Sequence, residues 1–474
     1  MPPIKFGTSG WRAIIAKDFT FSNVQRAVDG IAEYVLSANS KQPTILIGYD
    51  TRFLSDQFAA ATAERMAAHG IRALLSDKPV PTPALAFAIL QSKADGGINF
   101  TASHNPAEYN GIKFSTANGA PALPEVTSKI EANIARANEA SISPPSAGHP
   151  AAVERVDFAA AYLADLTRKV DLNAIRMTRQ NLVVDPLYGA GQGYLDKLLV
   201  RSGINVQTIH GTRDVLFGGH PPEPAEEHLA PLKKVMRESG ANLGLATDGD
   251  ADRYGILDYG GVFISPNHFL ALLLDYLAES RPWLKEDGWK GGVARSVATT
   301  HLVDAVARHH NLPVHETPVG FKYIGELIEQ DKLLVGGEES AGLTIRHHVP
   351  EKDGILACLL TAEMVATRRQ TLAEQLDALF LKVGRYCPGR WNVPLTETIK
   401  NSFKERSVRD YSSFEGRRVR EQNRTDGLKL LFDDGSWILF RLSGTEPVCR
   451  LYCEARSEKA LEELATAARN FLFA

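Results

Sequence analysis

The segment Thr44 to Ser76, "TILIGYDTRFLSDQFAAATAERMAAHGIRALLS", decides how the fold is read. An apolar run, "TILIGY", ends in the polar turn "DTR". A helical stretch then closes on Gly70 and leads into a second apolar run, "IRALLS". Strand, helix stopped by a C-terminal glycine, strand is the signature of a βαβ unit. The chain repeats it twice more. "NLVVDPLYGAG" (Asn181 to Gly191), "QGYLDKLLVRSG" and "INVQTI" make a second copy; "GGVARSVATT", "HLVDAVARHHN" and "LPVHET" make a third. Each copy then meets a further short apolar strand that ends in a polar loop. The pairs are "GGINF" with "TASHNP", "NLGLA" with "TDGDADR", and "KLLVG" with "GEESAG". Ligands in open α/β sheets bind beyond the carboxyl ends of the strands, so three such loops are expected to line one cleft.

The expected fold class is therefore α/β: three related α/β domains with βαβ units around a central cleft, followed by a C-terminal α+β domain. A chain of 474 residues is long enough for about three or four domains. The Pro- and Ser-rich stretch "EASISPPSAGHPAAVE" (Glu139 to Glu154) reads as a linker. The expected domains are 1–145 with the serine loop, 146–258 with the acidic loop, 259–376 with the third loop, and a smaller domain at 377–474.

Composition narrows the function class. Hydrophobic residues make up 44% and charged residues 23%, as in soluble globular proteins. Lys and Arg number 53 against 56 Asp and Glu, a net charge of −3. Such a balance argues against nucleic acid or an anionic membrane as partner. No apolar run approaches a membrane span, and "MPPIKFGTSGWR" has no apolar signal core, so a cytoplasmic location is expected. The cysteines, Cys358, Cys387, Cys449 and Cys453, lack the partners of a zinc site and read as buried structural residues. Cys449 and Cys453 share one face if "VCRLYCEA" is a strand.

Three loops carry the chemistry. In "TDGDADR", the alternating Asp248, Asp250 and Asp252 can converge on one hard cation, and Mg²⁺ suits such oxygen ligands. An EF-hand loop is excluded, because Arg253 stands where Gly is needed and Tyr259 where Glu is needed. Arg253 instead offers a fixed cation for a phosphate. In "TASHNP", Ser103 lacks the flanking glycines of a hydrolase serine. His104 follows it directly, so on an extended backbone the imidazole would point away. A phosphate-accepting serine needs a cation opposite, which the acidic loop would supply; Lys113 is near enough to contribute charge or move a proton. In "GGEESAG", Glu338, Glu339 and Ser340 suit sugar hydroxyls. "RLSGTEPVCR" joins Arg441, Ser443, Gly444, Thr445 and Arg450, the donors a phosphate dianion needs. "FGTSGWR" has a similar flavour in Thr8, Ser9 and Arg12.

Taken together, "GTSGWR", "TASHNP", "DGDADR", "GGEESAG" and "RLSGTEP" resemble, in order and spacing, the motifs of the α-D-phosphohexomutases, and among them the phosphoglucomutases. The resemblance covers essentially the whole chain. It implies an enzyme that interconverts glucose 1-phosphate and glucose 6-phosphate, with Ser103 phosphorylated and glucose 1,6-bisphosphate as intermediate and activator. Phosphoserine 103, Asp248, Asp250 and Asp252 would hold Mg²⁺. Arg12 and Lys113 match residues of charge stabilisation and proton transfer, and His104 counts with the catalytic loop as a neighbour that shapes it. Substrate would be bound by Thr8, Ser9, Arg253, Lys322, Glu338 and Ser340, and its phosphate by Arg441, Ser443, Gly444, Thr445 and Arg450. The expected partners are small sugar phosphates, with the chain a monomer or weak homodimer. Mannose or glucosamine phosphate mutases, a bisphosphate synthase of the same fold, and a non-catalytic sugar-phosphate-binding protein are the alternatives.

Overall fold

The computed structural model describes residues 4–7, 10–38, 42–137, 151–281, 288–443 and 447–473. Thr8, Ser9, Gly444 and Thr445, and most of the stretch read as a linker, lie outside these residues. The chain divides into two compact units, Met1–Ser265 with Gly320–Leu372, and Pro266–Val319 with Ala373–Ala474.

The first unit is built on the repeat. Its first sheet holds β1 (Trp11–Ile14), β2 (Thr44–Tyr49), β3 (Arg72–Ser76), β4 (Gly96–Phe100), β5 (Tyr109–Thr116) and β6 (Val153–Val156), in the order β1-β5-β4-β2-β3-β6. β2 runs parallel to β3 and β4, joined through the helices Ser55–Ala68 and Thr82–Ser92. Both central strands are buried along nearly their whole length, which is why they read as unbroken apolar runs. A buried aromatic cluster packs on this sheet: Phe19 lies 4.9 Å from both Trp11 and Phe58, and Phe58 stacks on Phe100. Taking each such ring out of water stabilises the fold by about 1.5–3 kcal/mol.

The second copy gives β7 (Asn181–Asp185), β8 (Asn205–Thr208), β9 (Leu243–Thr247), β10 (Tyr254–Asp258) and β11 (Val262–Ile264), ordered β11-β10-β9-β7-β8. β7 is parallel to β8 and β9. The helix Ala230–Ser239 stops at Gly240, whose φ of +63° only glycine adopts at low cost.

In the second unit, β12 (Gly292–Ser296) and β13 (Val314–Thr317) pair in parallel around the helix Leu302–His309, as the third copy requires. The first unit contains β14 (Leu333–Glu338) paired antiparallel to β15 (Gly342–Ile345). Back in the second unit, the tail forms β16 (Cys387–Pro394), β17 (Ser413–Phe414), β18 (Arg417–Asn423), β19 (Leu428–Phe432), β20 (Trp437–Leu442) and β21 (Val448–Ala455), ordered β16-β21-β20-β19-β18-β17. The helices Glu397–Ser407 and Glu458–Phe473 complete this α+β part. Cys387, Cys449 and Cys453 are buried in its core, and Cys358 is buried elsewhere; all four are free thiols.

Candidate active site

The three polar loops occupy equivalent places in the first unit. Each joins a strand to its antiparallel neighbour: β4 to β5, β9 to β10, β14 to β15. Each also contains a non-glycine residue in the left-handed region, Ser103 (φ +52°), Ala251 (φ +56°) and Ala341 (φ +68°). Such backbone is held only where surroundings over-determine it.

For the serine loop, Arg52 supplies that determination. Its fully buried guanidinium donates to the carbonyls of Ser103 (2.7 Å), Asn105 (2.6 Å), Pro106 (2.7 Å) and Tyr109 (3.0 Å). Asp50 anchors the same arginine at 3.2 Å. The loop is thus wrapped around one cation. Ser103 itself is 1% exposed, and its Oγ donates to Asp248 Oδ2 at 2.6 Å. The positive φ also corrects the expectation for His104. On a backbone turned through the left-handed region, the imidazole Nδ1 comes within 3.4 Å of Ser103 Oγ instead of pointing away. Burial, then the cations Arg253 and Arg12, push the imidazole pKa well down, so His104 is neutral.

The acidic loop packs directly against the serine loop. A Cβ on Gly249 would come 2.4 Å from the Ser103 carbonyl oxygen, so only glycine fits that approach. Asp248, Asp250 and Asp252 are buried, with carboxylate oxygens within 4.8 Å of one another. Burial and mutual repulsion oppose their ionisation. These two effects dominate at Asp248, whose carboxyl is held well above the usual range. At Asp250 and Asp252 the same burial is overcome by Lys113, whose ammonium sits 2.5 Å from Asp250 Oδ2 and 2.7 Å from Asp252 Oδ2, and both are pushed down. Lys352 adds a second cation 3.1 Å from Asp252 and 2.8 Å from Glu351. Thr82 Oγ1 donates to Asp250 Oδ2 at 2.5 Å.

Two carboxylate oxygens, Asp250 Oδ1 and Asp252 Oδ1, are buried and accept no hydrogen bond from the described residues. Leaving such acceptors unpaired costs roughly 1–3 kcal/mol each. Converging buried oxygens with spare lone pairs fit a hard divalent cation, so this loop has the donor set to hold a metal ion.

The remaining expected residues are distributed as follows. Arg12 Nη1 donates to Asn105 Oδ1 at 2.7 Å, placing it on the serine loop. Arg253 is mostly buried, its guanidinium 4.0 Å from Asp252 and 3.9 Å from Glu223. Lys322 lines a small recess with Gly10, Lys113, Glu351 and Lys352, and burial lowers its pKa. Glu338 accepts from the Gly320 N–H at 2.8 Å; burial, then the charge of Glu339, raise its carboxyl to about 7. Ser340 is half-buried at the turn between β14 and β15. Arg441, Ser443 and Arg450 belong to the second unit. There Arg441 on β20 stands directly opposite Arg450 on β21, and Asp426 accepts from Arg441 at 2.8 Å. Like charges facing across a ladder repel, and a bound anion would relieve them.

Reasoning from sequence missed Arg52, Thr82 and Lys352. Arg52 had a signal: it ends the polar turn "DTR" of the first βαβ unit, the place where the fold presents functional groups. Thr82 and Lys352 carried none, since each meets the acidic loop only through tertiary contact.

Comparison with known proteins agrees with this architecture. Four family models match in chain order: phosphoglucomutase/phosphomannomutase alpha/beta/alpha domain I at residues 3–141, domain II at 160–261, domain III at 265–383, and the C-terminal domain at 392–471. Phosphoglucomutase-1 of Bos taurus is 31% identical over 500 residues, covering 93% of this chain and 88% of its own. A phosphoglucosamine-mutase-type protein of Methanosphaera stadtmanae is 30% identical over 481 residues, covering 99% and 98%. A phosphomannomutase-type crystal structure from Thermus thermophilus superposes with a TM-score of 0.85 at 34% identity, covering 100% of both chains. With three α/β domains, a C-terminal α+β domain and a buried aspartate triad beside a buried serine, the chain belongs to the phosphoglucomutase/phosphomannomutase family of α-D-phosphohexomutases, which are mutases.

Proposed function

We propose that this mutase interconverts glucose 1-phosphate and glucose 6-phosphate, with Ser103 as the phosphoryl carrier and glucose 1,6-bisphosphate as the intermediate. The observation that carries the reading is the contact of Ser103 Oγ with Asp248 in a buried carboxylate cluster that has two unpaired oxygens. A serine wrapped on Arg52 and aimed at a metal-type donor set has no use as a turn residue, but suits a phosphoryl group shuttled on and off one oxygen. In the forward direction the bond from phosphorus to Ser103 Oγ breaks and one to the open sugar hydroxyl forms. The bisphosphate turns around and returns its other phosphoryl group to Ser103.

Mg²⁺, held by Asp248, Asp250, Asp252 and the phosphorylated Ser103, would neutralise charge on the transferring phosphoryl group. The protein's own task is positioning. Arg52 fixes the loop, and the neutral His104 flanks the oxygen without adding charge. Lys113, whose pKa burial opposes but Asp250 and Asp252 raise, stays an ammonium and contributes charge. Glu338, Ser340 and Lys322 are assigned to sugar hydroxyls, and Arg441, Ser443 and Arg450 to the distal phosphate, with Thr8, Ser9, Gly444 and Thr445 completing the substrate contacts.

A coupled assay with glucose 1-phosphate, Mg²⁺ and a trace of glucose 1,6-bisphosphate tests this, run beside mannose 1-phosphate and glucosamine 1-phosphate. Glucose 1-phosphate should give the highest kcat/KM. A clear preference for either other sugar would replace the glucose assignment, a reading that the mixed names of the relatives at similar identity also support. Intact mass should find one phosphoryl group on Ser103.

A further inference from the structure

We propose that the first unit carries a second anion site, whose lining includes neither Ser103 nor the aspartates, that takes a small organic phosphate. It does not rest on the reaction assigned above. The site is a cavity of about 400 Å³ between the first two βαβ units, far larger than one phosphate ion and in the size range of small-molecule pockets.

Its lining is strongly cationic. Lys78, Lys197, Arg201 and Arg213 face it against one acid, Asp157. Lys78 is paired with Asp157 at 2.9 Å, and Arg213 reaches Asp56 at 3.5 Å. The side chains of Lys197 and Arg201 make no hydrogen bond or ion pair with any described residue. They stand four apart on the helix Leu195–Arg201, where two like charges destabilise each other and an anion would offset both. Lys197 also folds back toward Gly193. Gly193 has a φ of +76°, and a Cβ built on it would lie 3.1 Å from the Lys197 ammonium, so the charge rests over this glycine turn.

Two further features suit a ligand with an organic part. The side-chain nitrogen of Gln192, on the lining, is buried and unpartnered among the described residues. Leu163, Ala190 and Tyr194 supply an apolar wall. Cations, one unpaired amide donor and an apolar wall match a phosphate group carried on a ring or short chain.

The walls of this cavity also brace the catalytic loops. Arg213 donates to the carbonyls of Thr51 (3.1 Å) and Arg52 (3.3 Å), and Arg52 holds the serine loop. The Ala190 N–H donates to the Gly249 carbonyl at 2.9 Å. An occupant would therefore touch residues one hydrogen bond from the acidic loop and two from the serine loop, without contacting Ser103 or the aspartates.

Inorganic pyrophosphate is the probe, titrated calorimetrically into the full chain without divalent metal. Wild type should bind pyrophosphate under these conditions. Lys197→Glu/Arg201→Glu should weaken that binding at least about tenfold, the loss of two charge-assisted contacts, while leaving mutase turnover within about twofold. Both residues are exposed, so folding should be retained, and an unchanged circular dichroism spectrum and Tm verify it. Lys197→Arg alone, which keeps the charge, should bind as wild type does. Absence of pyrophosphate binding in wild type, or an isotherm identical to wild type in the double variant, overturns the site.

Discussion

Two buried charge clusters, one in each unit, show what burial of charge does and does not imply. In the second unit, Arg295 and Lys429 are each 3% exposed. Arg295 gives all three guanidinium nitrogens to partners: Nε and Nη2 to Asp304 at 2.6 and 3.0 Å, and Nη1 to Glu316 at 2.6 Å. Lys429 donates to the Val297 carbonyl at 2.8 Å, meets His301 at 2.9 Å, and lies 4.3 Å from the Trp437 ring. Cations and acids pair there, with Lys429 also 3.4 Å from Glu316. In the first unit, three aspartates crowd together, and two of their oxygens have no donor among the described residues. Both clusters hold buried charge. Only the aspartate cluster has coordination to spare, and that surplus, not burial, marks it as a place for a ligand.

Ser103→Ala should break the contrast most severely. Mutase activity should fall by about 10³-fold or more, some 4 kcal/mol of transition-state stabilisation, with the Tm almost unchanged. Turnover at the wild-type rate would remove Ser103 from the mechanism. Next, Arg295→Ala should cost about 2–3 kcal/mol in urea unfolding, because the partly exposed Asp304 and Glu316 lose a buried partner; a loss under about 1 kcal/mol would mean that solvent compensates both acids.

The acidic cluster should respond in the opposite sense. Asp250→Asn should abolish the gain in Tm on adding Mg²⁺ and with it metal-dependent activity. Asp248→Asn in chelator should raise unfolding stability, by about 1 kcal/mol, since it removes one of three mutually repelling carboxylates. A destabilised Asp248→Asn chain would show that the cluster is balanced in the way the Arg295 network is.

The smallest effect concerns pH. Glu338 ionises near 7 in the folded chain, raised by burial and then by Glu339, and near 4.3 when unfolded. A raised carboxyl favours folding fully below about 4.3, and that contribution is lost as pH climbs to about 7. Glu338→Gln should therefore flatten the fall in Tm between pH 5 and pH 8 relative to wild type. Superimposable Tm profiles would place a charged, solvated Glu338 at the turn.

Much of this was legible in the chain itself. The βαβ copies stood out because their opening strands, buried on both faces, read as apolar runs, and their helices stop at glycine or asparagine. The alternation of Asp248, Asp250 and Asp252 was legible for a local reason too, since three carboxylates in five residues have few structural uses. The direction of His104 was not legible, because it depends on one dihedral angle, the positive φ of Ser103, which no pattern of residue types announces. That angle exists because Arg52, fifty-one residues earlier, gathers four carbonyls.

Local chemistry along the sequence thus determined the architecture and the identity of the reactive groups: periodicity sets strands and helices, and side-chain type sets what each loop can bind. Tertiary structure alone decided which groups meet. Lys113 and Lys352 reach the same aspartate from separate strand and loop ends, and Thr82 meets Asp250 across 168 positions. Such meetings depend on how strands are ordered within a sheet and how elements pack, and these long-range choices follow from burying apolar faces together, not from any short stretch of sequence.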